Sequence, residues 1–436
     1  MNNLSKKISA VTLLLLLSIA FTACTRTPGG IDVVKAESKK VYADPAEAKI
    51  ADAVAAIDEL PNSTKPYTNL AALYVRRARA TGDFSLNSKA ESAVEKALTI
   101  DAEDVPARKL KASLHLTYHR FDEALEAGKL LQQQFPNDAF VYGVLTDANF
   151  ELGNYDEAVK MAQRMIDIKP NSSSYARVGH LRSFYGDHKG AVKMMTLSAR
   201  TADPQDPEAQ SWCLTQLGDE LWKYGKYPES EKVYDEALQI LPNYYLAAVG
   251  KGRARASQDD FQSAIDILTT TNDRIPNVEA LILLGDIYTR VGNTEKAKQS
   301  YDLVEIVEAK IGVNNDQKRL ALMWANNNER LDDALAITIR EHEMRKDVLT
   351  ADALAWTLYR KERFAEAKVA INEAMKLKSD EAKFLYHAGM IENGLGNKVS
   401  ARQSLENAIK LNPNFDLLHA QIAKHTLAEL TPSNRR

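Results

Sequence analysis

Alanine recurs in this chain about every 34 residues, each time at the end of a similar four-residue segment. Two of the segments read Phe121-Asp-Glu-Ala124 and Tyr155-Asp-Glu-Ala158. A period of about 34 residues predicts stacked helix–turn–helix units, because a single helix pair cannot bury its apolar faces alone. The recurring residues are Ala90, Ala124, Ala158, Ala191, Ala264, Ala297, Ala334, Ala367 and Ala401, with Ser230 in the same place inside the longest interval.

Other residues keep fixed places around each alanine. A glycine stands in the first helix, most often after an apolar residue, a second glycine ends that helix, and a proline ends the second helix. We expect the first glycine and the alanine to let the two helices approach closely, and the second glycine to form a left-handed C-cap. The first glycines are Gly179, Gly218, Gly252, Gly285 and Gly389, and the prolines are Pro136, Pro170, Pro242, Pro276 and Pro413.

This pattern resembles the tetratricopeptide repeat, and the resemblance extends from about Ala48 to Pro413. It implies an all-α, right-handed superhelical solenoid of about ten helix–turn–helix units. We place the repeat array at residues 45–414. A capping helix at residues 415–430 is expected to cover the last apolar face, and residues 431–436 form a tail.

The first 24 residues are predicted to be a targeting signal rather than part of the fold. Lys6 and Lys7 precede an uncharged, mostly apolar run of secretory length, which ends in Phe21-Thr-Ala-Cys24. This ending resembles the lipobox of bacterial lipoproteins, with Phe21 where leucine is usual. It implies that residues 1–23 are removed and that Cys24 is acylated, which would give a stable lipid anchor. Residues 24–44 would then form a flexible tether.

The residue after the cysteine bears on location. In the double-membraned bacteria whose lipoproteins this segment resembles, a residue other than aspartate there implies transfer to the outer membrane, and Thr25 stands at that place. We therefore expect a lipid-anchored protein of the cell envelope that faces the periplasm. The alternatives are simple secretion, if the lipobox is not used, and an uncleaved membrane anchor.

No arrangement of residues points to catalysis, a cofactor or a metal. His115 and His119 lie one helical turn apart, but Leu116 stands where a zinc-protease motif needs glutamate. The sequence contains no Gly-rich phosphate loop, no Gly-x-Ser-x-Gly motif and no Cys-x-x-Cys motif. The net charge of -3 disfavours a nucleic-acid partner. We expect no enzymatic activity, no cofactor and no metal.

The resemblance implies that the first helix of each unit lines a concave groove. Counting back from the recurring residues gives a row rich in aromatic and arginine side chains, which dominate binding hot spots. We predict that this row contacts a partner; the alternative is that its tryptophans fill gaps between neighbouring helices. The predicted row is Phe140, Asp147, Phe150, His180, Trp212, Asp219, Trp222, Arg253, Asp286, Arg290, Arg319, Trp356, Tyr359, Arg360 and Tyr386.

These observations favour binding over catalysis. We expect a membrane-tethered scaffold or adaptor that binds a peptide segment or a partner protein in the cell envelope. The alternative is a carbohydrate-binding lipoprotein of a nutrient-uptake system. Against that alternative, the chain has only four tryptophans, and no large insertion could carry a sugar-binding platform.

Overall fold

The described part of the protein is an array of helices. The computed structural model describes residues 44–311 and 317–431, and the predictions for residues 1–43, including acylation of Cys24, lie outside the described residues. Within the described ranges the chain forms 22 helices and no strand. The prediction of an all-α helical repeat solenoid is therefore confirmed.

Twenty of these helices form ten successive pairs, which we number 1 to 10. Helix α1 (Pro45–Glu59) precedes pair 1, and α22 (His419–Leu430) follows pair 10. The first helices of the pairs are α2 (Thr64–Thr81), α4 (Val105–Thr117), α6 (Ala139–Glu151), α8 (Ser172–Phe184), α10 (Pro207–Lys223), α12 (Tyr245–Ala256), α14 (Val278–Arg290), α16 (Lys318–Asn327), α18 (Val348–Arg360) and α20 (Ala382–Gly394). The second helices are α3 (Leu86–Ile100), α5 (Phe121–Gln134), α7 (Tyr155–Ile168), α9 (His188–Thr201), α11 (Tyr227–Ile240), α13 (Phe261–Asn272), α15 (Thr294–Ile311), α17 (Leu331–Met344), α19 (Phe364–Ala374) and α21 (Lys398–Leu411).

Short polar side chains begin many of these helices. Asp104 and Asp138 accept hydrogen bonds from backbone N–H groups at the starts of α4 and α6, at 2.8 and 3.0 Å. Asn171 and Ser174 form a reciprocal capping box at the start of α8. Such caps satisfy N–H groups that have no partner inside the helix. A connection of a few residues can therefore end one helix and begin the next.

The recurring small residues lie where the two helices of each pair cross. All ten are buried near the start of the second helix, and the most exposed, Ala297, keeps 5% of its surface. The glycines of the first helices face them: a Cβ atom on Gly285 would lie 2.3 Å from the Tyr301 ring, and one on Gly218 would lie 2.5 Å from the Tyr234 ring. No side chain fits at such distances, so the predicted close approach of the helices is confirmed.

The turn inside each pair contains a residue with left-handed backbone, and the turn of pair 8 contains a second one, Arg330. Glycine takes this place in six pairs, as predicted for Gly153, Gly186, Gly225, Gly292 and Gly396. His119, Asp259, Asn328 and Glu362 take it in the other four pairs, with φ between 56° and 60°. We call these connections the within-pair turns, and the connections from one pair to the next the between-pair turns.

The between-pair turns of the last pairs lie against the within-pair turns of earlier pairs. Gly153 in pair 3 meets Lys346, and Gly186 in pair 4 meets Lys378. Gly225 in pair 5 meets Pro413. Moving from the within-pair turn of one pair to that of the next therefore moves the contact to the next between-pair turn near the C-terminus. We call this contact, of the turns in pairs 3 to 6 with residues 345–347, 378–381 and 411–414, the seam.

Polar groups form the C-terminal part of the seam. Asn412 keeps only 1% of its surface, and its Nδ2 donates to the carbonyl oxygens of Trp222 at 3.0 Å and Lys223 at 3.3 Å. Its Oδ1 accepts from the Tyr227 hydroxyl. Asn414 Nδ2 donates to the Ser257 carbonyl at 2.7 Å. Two asparagines therefore satisfy backbone and hydroxyl groups that lie 157 to 190 residues earlier in the chain.

Charged and aromatic groups form the rest of the seam. The Val348 N–H donates to the Tyr155 hydroxyl at 2.8 Å. Lys223 Nζ lies 3.3 Å from a Glu381 carboxylate oxygen. Arg345 is buried and lies 3.5 Å from Glu151. Burial and nearby negative charge raise the pKa of Glu151 to about 7, although Arg345 opposes this shift.

Pair 1 has a comparable contact. Arg79 lies 2.9 Å from Glu208, and Arg76 lies 3.3 Å from Asp206, at the start of α10. Phe84, in the within-pair turn, meets Tyr245 edge to face with ring centroids 6.4 Å apart. Contacts between within-pair turns and later between-pair turns therefore begin at the first pair.

We predict that Asn412→Ala opens the seam without unfolding the pairs. The substitution removes three hydrogen bonds, to the buried Tyr227 hydroxyl and to two carbonyl groups, which costs about 2–3 kcal/mol. Small-angle X-ray scattering should show a larger radius of gyration, while circular dichroism shows unchanged helicity. The matched control is Asn407→Ala, since Asn407 is exposed and contacts only Gln403 of its own helix. An unchanged radius of gyration in Asn412→Ala would contradict the role given to the seam.

Candidate functional site

Three residues of the predicted row are packed in the hydrophobic interior. Phe150 is buried against Tyr155, and Trp356 and Tyr386 keep 1% of their surface each. The Trp356 ring stacks on His387 at 4.3 Å, and its Nε1 donates to Asn326 at 2.8 Å. The prediction that these three side chains bind a partner is therefore not supported, because no surface is left for one. For Trp356 the packing alternative is the one that the geometry supports.

Asp219, Trp222 and Arg253 form one network across pairs 5 and 6. The Arg253 guanidinium pairs with Asp219 and lies 4.4 Å from the centre of the Trp222 ring. Tyr234 donates to Asp219 at 2.7 Å, and Glu279 lies 3.3 Å from Arg253. Burial raises the pKa of Asp219, while the charge of Arg253 opposes the shift. The carboxylates and both terminal nitrogens of Arg253 have partners here, so a ligand would have to replace them, whereas the buried Nε of Arg253 has no hydrogen-bond partner among the described residues.

His180 lies in a more open part of the row. Its ring is exposed to solvent, although Phe150 and Phe184 meet it at 5.1 and 4.8 Å between centroids. Partial loss of hydration among these neighbours, together with the positive charge of Lys223, lowers the pKa of His180. His180 is therefore neutral at ordinary pH and could donate or accept one hydrogen bond on each ring nitrogen.

The row at pairs 6 and 7 is covered by the protein's own C-terminal segment. Leu417 packs against a hydrophobic cluster that contains Val249 and Ile287. Asp286 accepts a hydrogen bond from the Tyr301 hydroxyl at 2.7 Å. Burial first, and then the charge of Asp416, raise the pKa of Asp286 to about 7. A partner bound at this part of the row would compete with the segment before α22.

The remaining residues of the row are dispersed. Asp147 forms a two-point ion pair with Arg177, at 2.9 and 2.6 Å. Phe140 is exposed and lies under the Lys109 ammonium at 5.8 Å. Trp212 is half-buried and packs against the hydrophobic cluster around Tyr234. Tyr359 and Arg360 are half-buried and contact Trp356. Arg290 and Arg319 are exposed.

A concave surface lies at the N-terminal end of the array. A trough of about 670 Å³ runs between α1, α2 and α4. Its wall is mainly apolar, and Lys65, Asn69 and Lys109 supply the polar groups. Phe140 extends this surface, since Lys109 contacts both Phe140 and Asp138. The apolar part of the wall consists of Ala56, Leu60, Pro66, Ala72, Val105, Pro106 and Leu110.

Counting from the alanines alone missed most of this trough. In pairs 3 to 7 the residue with left-handed backbone lies five places before the recurring residue, as Gly153 does before Ala158. In pair 1 Gly82 lies eight places before Ala90, because the turn contains extra residues. Counting from the glycine instead places Asn69 and Ala72 in the same slots that Phe140 and Gly143 take in pair 3. The insertion at Gly82 was the signal that could have located them.

Family models for the tetratricopeptide repeat match residues 215–270, 278–304 and 382–415. The chain therefore contains tetratricopeptide repeats, which confirms the resemblance stated from the sequence. Within the described ranges, no helix combines the length and apolar character that crossing a membrane requires.

Comparison with known proteins gives distant matches. Anaphase-promoting complex subunit 3 of Schizosaccharomyces pombe is 20% identical over 183 residues, which are 42% of this chain but only 27% of that protein. The crystal structure of the APC/C hetero-tetramer Cut9–Hcn1 is similar over 88% of this chain and 82% of that chain, at 14% identity and a TM-score of 0.42. A tetratricopeptide repeat protein from Parabacteroides merdae is similar over 59% of this chain and 98% of that chain, at 19% identity and a TM-score of 0.35.

We predict that Asp286→Asn stabilises the protein at alkaline pH. The pKa of this carboxyl is raised in the folded state, so its contribution to stability is lost as pH rises from about 4 through about 7. Asparagine keeps an acceptor for Tyr301 and carries no charge. Because Asp286 is partly exposed, we expect a gain of about 1–2 kcal/mol near pH 8, shrinking towards zero near pH 4.

The measurement is urea denaturation of both proteins across this pH range. Asp302→Asn is the control, since Asp302 is exposed and pairs with Lys298 within one helix. If the variant and the wild type had the same free energy of unfolding at every pH, the surroundings of Asp286 would not destabilise its charged form.

Proposed function

We propose that this tetratricopeptide-repeat protein is a membrane-tethered scaffold that binds an extended segment of a partner protein. The repeats support a protein-interaction scaffold, since such proteins bind protein partners and are generally not catalytic. The observation that supports a particular location is the open trough between α1, α2 and α4. The seam and Leu417 contact the part of the predicted row that lies in pairs 5 to 7. Within the described residues, no segment of the chain covers the trough in this way.

The chemistry of the trough suits an extended peptide. Its apolar wall can bury one or two hydrophobic side chains, which supplies most of the affinity in such contacts. Asn69 is exposed in the middle of the trough and offers both a donor and an acceptor to a peptide backbone. Lys65 favours an acidic side chain beside the apolar anchor, whereas Lys109 already pairs with Asp138. Because the array is already folded, binding need not order this surface.

A photo-crosslinking experiment tests this location. A photoreactive side chain at Asn69 should capture a partner protein in intact cells, and the adduct should disappear when Ala72→Glu places a charge in the trough. Ala72 is exposed, so this change should leave the fold intact. The control is the same photoreactive side chain at Val369, which is exposed on the outer helix α19.

The outcomes of this experiment distinguish between the proposed trough site and its alternatives. Absence of a protein adduct at Asn69, or the same adduct at Val369, would exclude the trough as the partner site. Recovery of a glycan instead, sensitive to Ala72→Glu, would favour the carbohydrate-binding alternative. Replacing Trp356 would not serve as a test, because that side chain is part of the core.

We further propose that Cys24 is acylated and holds the array at the outer membrane, facing the periplasm. The support is the sequence Phe21-Thr-Ala-Cys24 after an apolar run, with Thr25 as the following residue. Cells grown with labelled palmitate should incorporate the label into the wild type and not into Cys24→Ser. The variant should move from the membrane fraction to the soluble fraction. Label in both proteins, or in neither, would contradict acylation at this residue.

A further inference from the structure

The seam defines how one stretch of this array recognises another. Within-pair turns of early pairs meet between-pair turns of later pairs, and the two series advance together from Gly153 with Lys346 to Gly225 with Pro413. This arrangement uses opposite edges of the array, because all within-pair turns lie at one edge and all between-pair turns lie at the other. Each edge therefore has a stretch that the seam does not use.

One unused stretch comprises the within-pair turns of the last pairs. A Cβ atom on Gly292 or Gly396 would meet no other atom within 4 Å, in contrast to the seam glycines. Beside Gly396, Leu395 is exposed and Val399 keeps 76% of its surface. We call residues 361–363 and 395–399, in the turns of pairs 9 and 10, the upper edge.

The other unused stretch comprises the first between-pair turns. In the connection from α1 to α2, Leu60 keeps 56% of its surface. In the connection from α3 to α4, Ile100 is exposed at the end of α3. We call residues 58–62 and 100–103 the lower edge.

The two edges complement each other in charge and in apolar surface. On the upper edge, three cations accompany the single anion Glu362, and two of them pair with Asp332 and Glu366 next to the edge. The lower edge carries only anions, one of which pairs with Arg108. Each edge also carries two exposed aliphatic side chains. The cations are Lys361, Arg363 and Lys398, and the anions are Asp58, Glu59, Asp101 and Glu103.

We propose that the upper edge of one copy of this chain binds the lower edge of a second copy, so that copies stack head to tail. The occupant is a second copy because the contact continues the seam: within-pair turns again meet between-pair turns. With the same order along the chain as in the seam, the turn at Glu362 would face residues 58–62 and the turn at Gly396 would face residues 100–103. Val399 would then lie near Ile100, and Lys398 near Asp101 and Glu103.

The chemistry of the two edges sets the character of this association. In the seam, the tyrosines that begin α7 and α11 contribute hydroxyl groups to hydrogen bonds. At the upper edge, the residue in the same place is the charged Lys398, which begins α21. Exposed charges are screened by salt, so stacking should weaken as ionic strength rises. An interface between two different surfaces does not close on itself, so the products should form a series of increasing length rather than one dimer.

Two variants test the proposal, and each carries substitutions that disrupt one edge. The measurement is sedimentation velocity of the full chain. All proteins also carry Cys24→Ser, so that no acyl chain contributes to association. The upper-edge variant carries Lys398→Glu and Val399→Glu, and the lower-edge variant carries Ile100→Glu and Asp101→Lys. All four side chains are exposed, so circular dichroism should show wild-type helicity. Val369→Glu is the control, since Val369 is equally exposed but lies away from both edges.

The wild type and Val369→Glu should form larger species as concentration rises, and fewer at high salt. Each edge variant alone should remain monomeric, because every contact needs both edges. An equal mixture of the two variants should form a dimer and nothing larger, through the one intact edge of each. A monomeric wild type at all concentrations, or association of either variant alone, would overturn the proposal.

Discussion

The distance between the two helices of a pair is the constraint on which the structure depends. Glycine at one helix and alanine at the other remove side chains from the crossing, so the helices approach until the ring of Tyr301 lies over the backbone at Gly285. All ten crossings have a buried alanine or serine in the second helix, and several also have the glycine in the first helix, which gives pairs of similar shape. Stacking pairs of equal shape turns a small rotation between neighbours into a regular coil. The seam follows from that regularity, because only evenly spaced turns can meet one another in register.

The seam changes what the concave surface can do. An array in which each pair contacts only its neighbours leaves its whole inner row open. Here Asn412, Asn414 and Leu417 occupy positions beside pairs 5 to 7 that an outside ligand would otherwise reach. Polar groups that would bind a ligand, such as those of Arg253, are matched to neighbouring carboxylates instead. Open apolar surface remains where the coil begins, between α1, α2 and α4.

The fold could be predicted from the sequence because each crossing depends on residues less than 20 positions apart, as Gly285 and Tyr301 are. The seam could not, since Asn412 and Trp222 are 190 residues apart and the contact is made to a backbone carbonyl, which leaves no side-chain pattern. The site was only partly predictable for the same reason. Placing Trp356 and Tyr386 in a groove assumed that the inner surface stays open, and their burial depends on packing against His387, His419 and Phe415.

Polar residues explain why the seam can form while the turns that it does not use remain exposed to water. Unused turns must stay compatible with water, and Glu362 takes a left-handed backbone position there that glycine would take with less strain. A charged residue at such a place resists unspecific contact with another edge, much as charges protect the edge strands of sheets. Where such an edge also carries Val399, 76% exposed, the charges protect it only in part. The charge and the apolar surface of the turns therefore act in opposite directions, the first against contact with another edge and the second in favour of it.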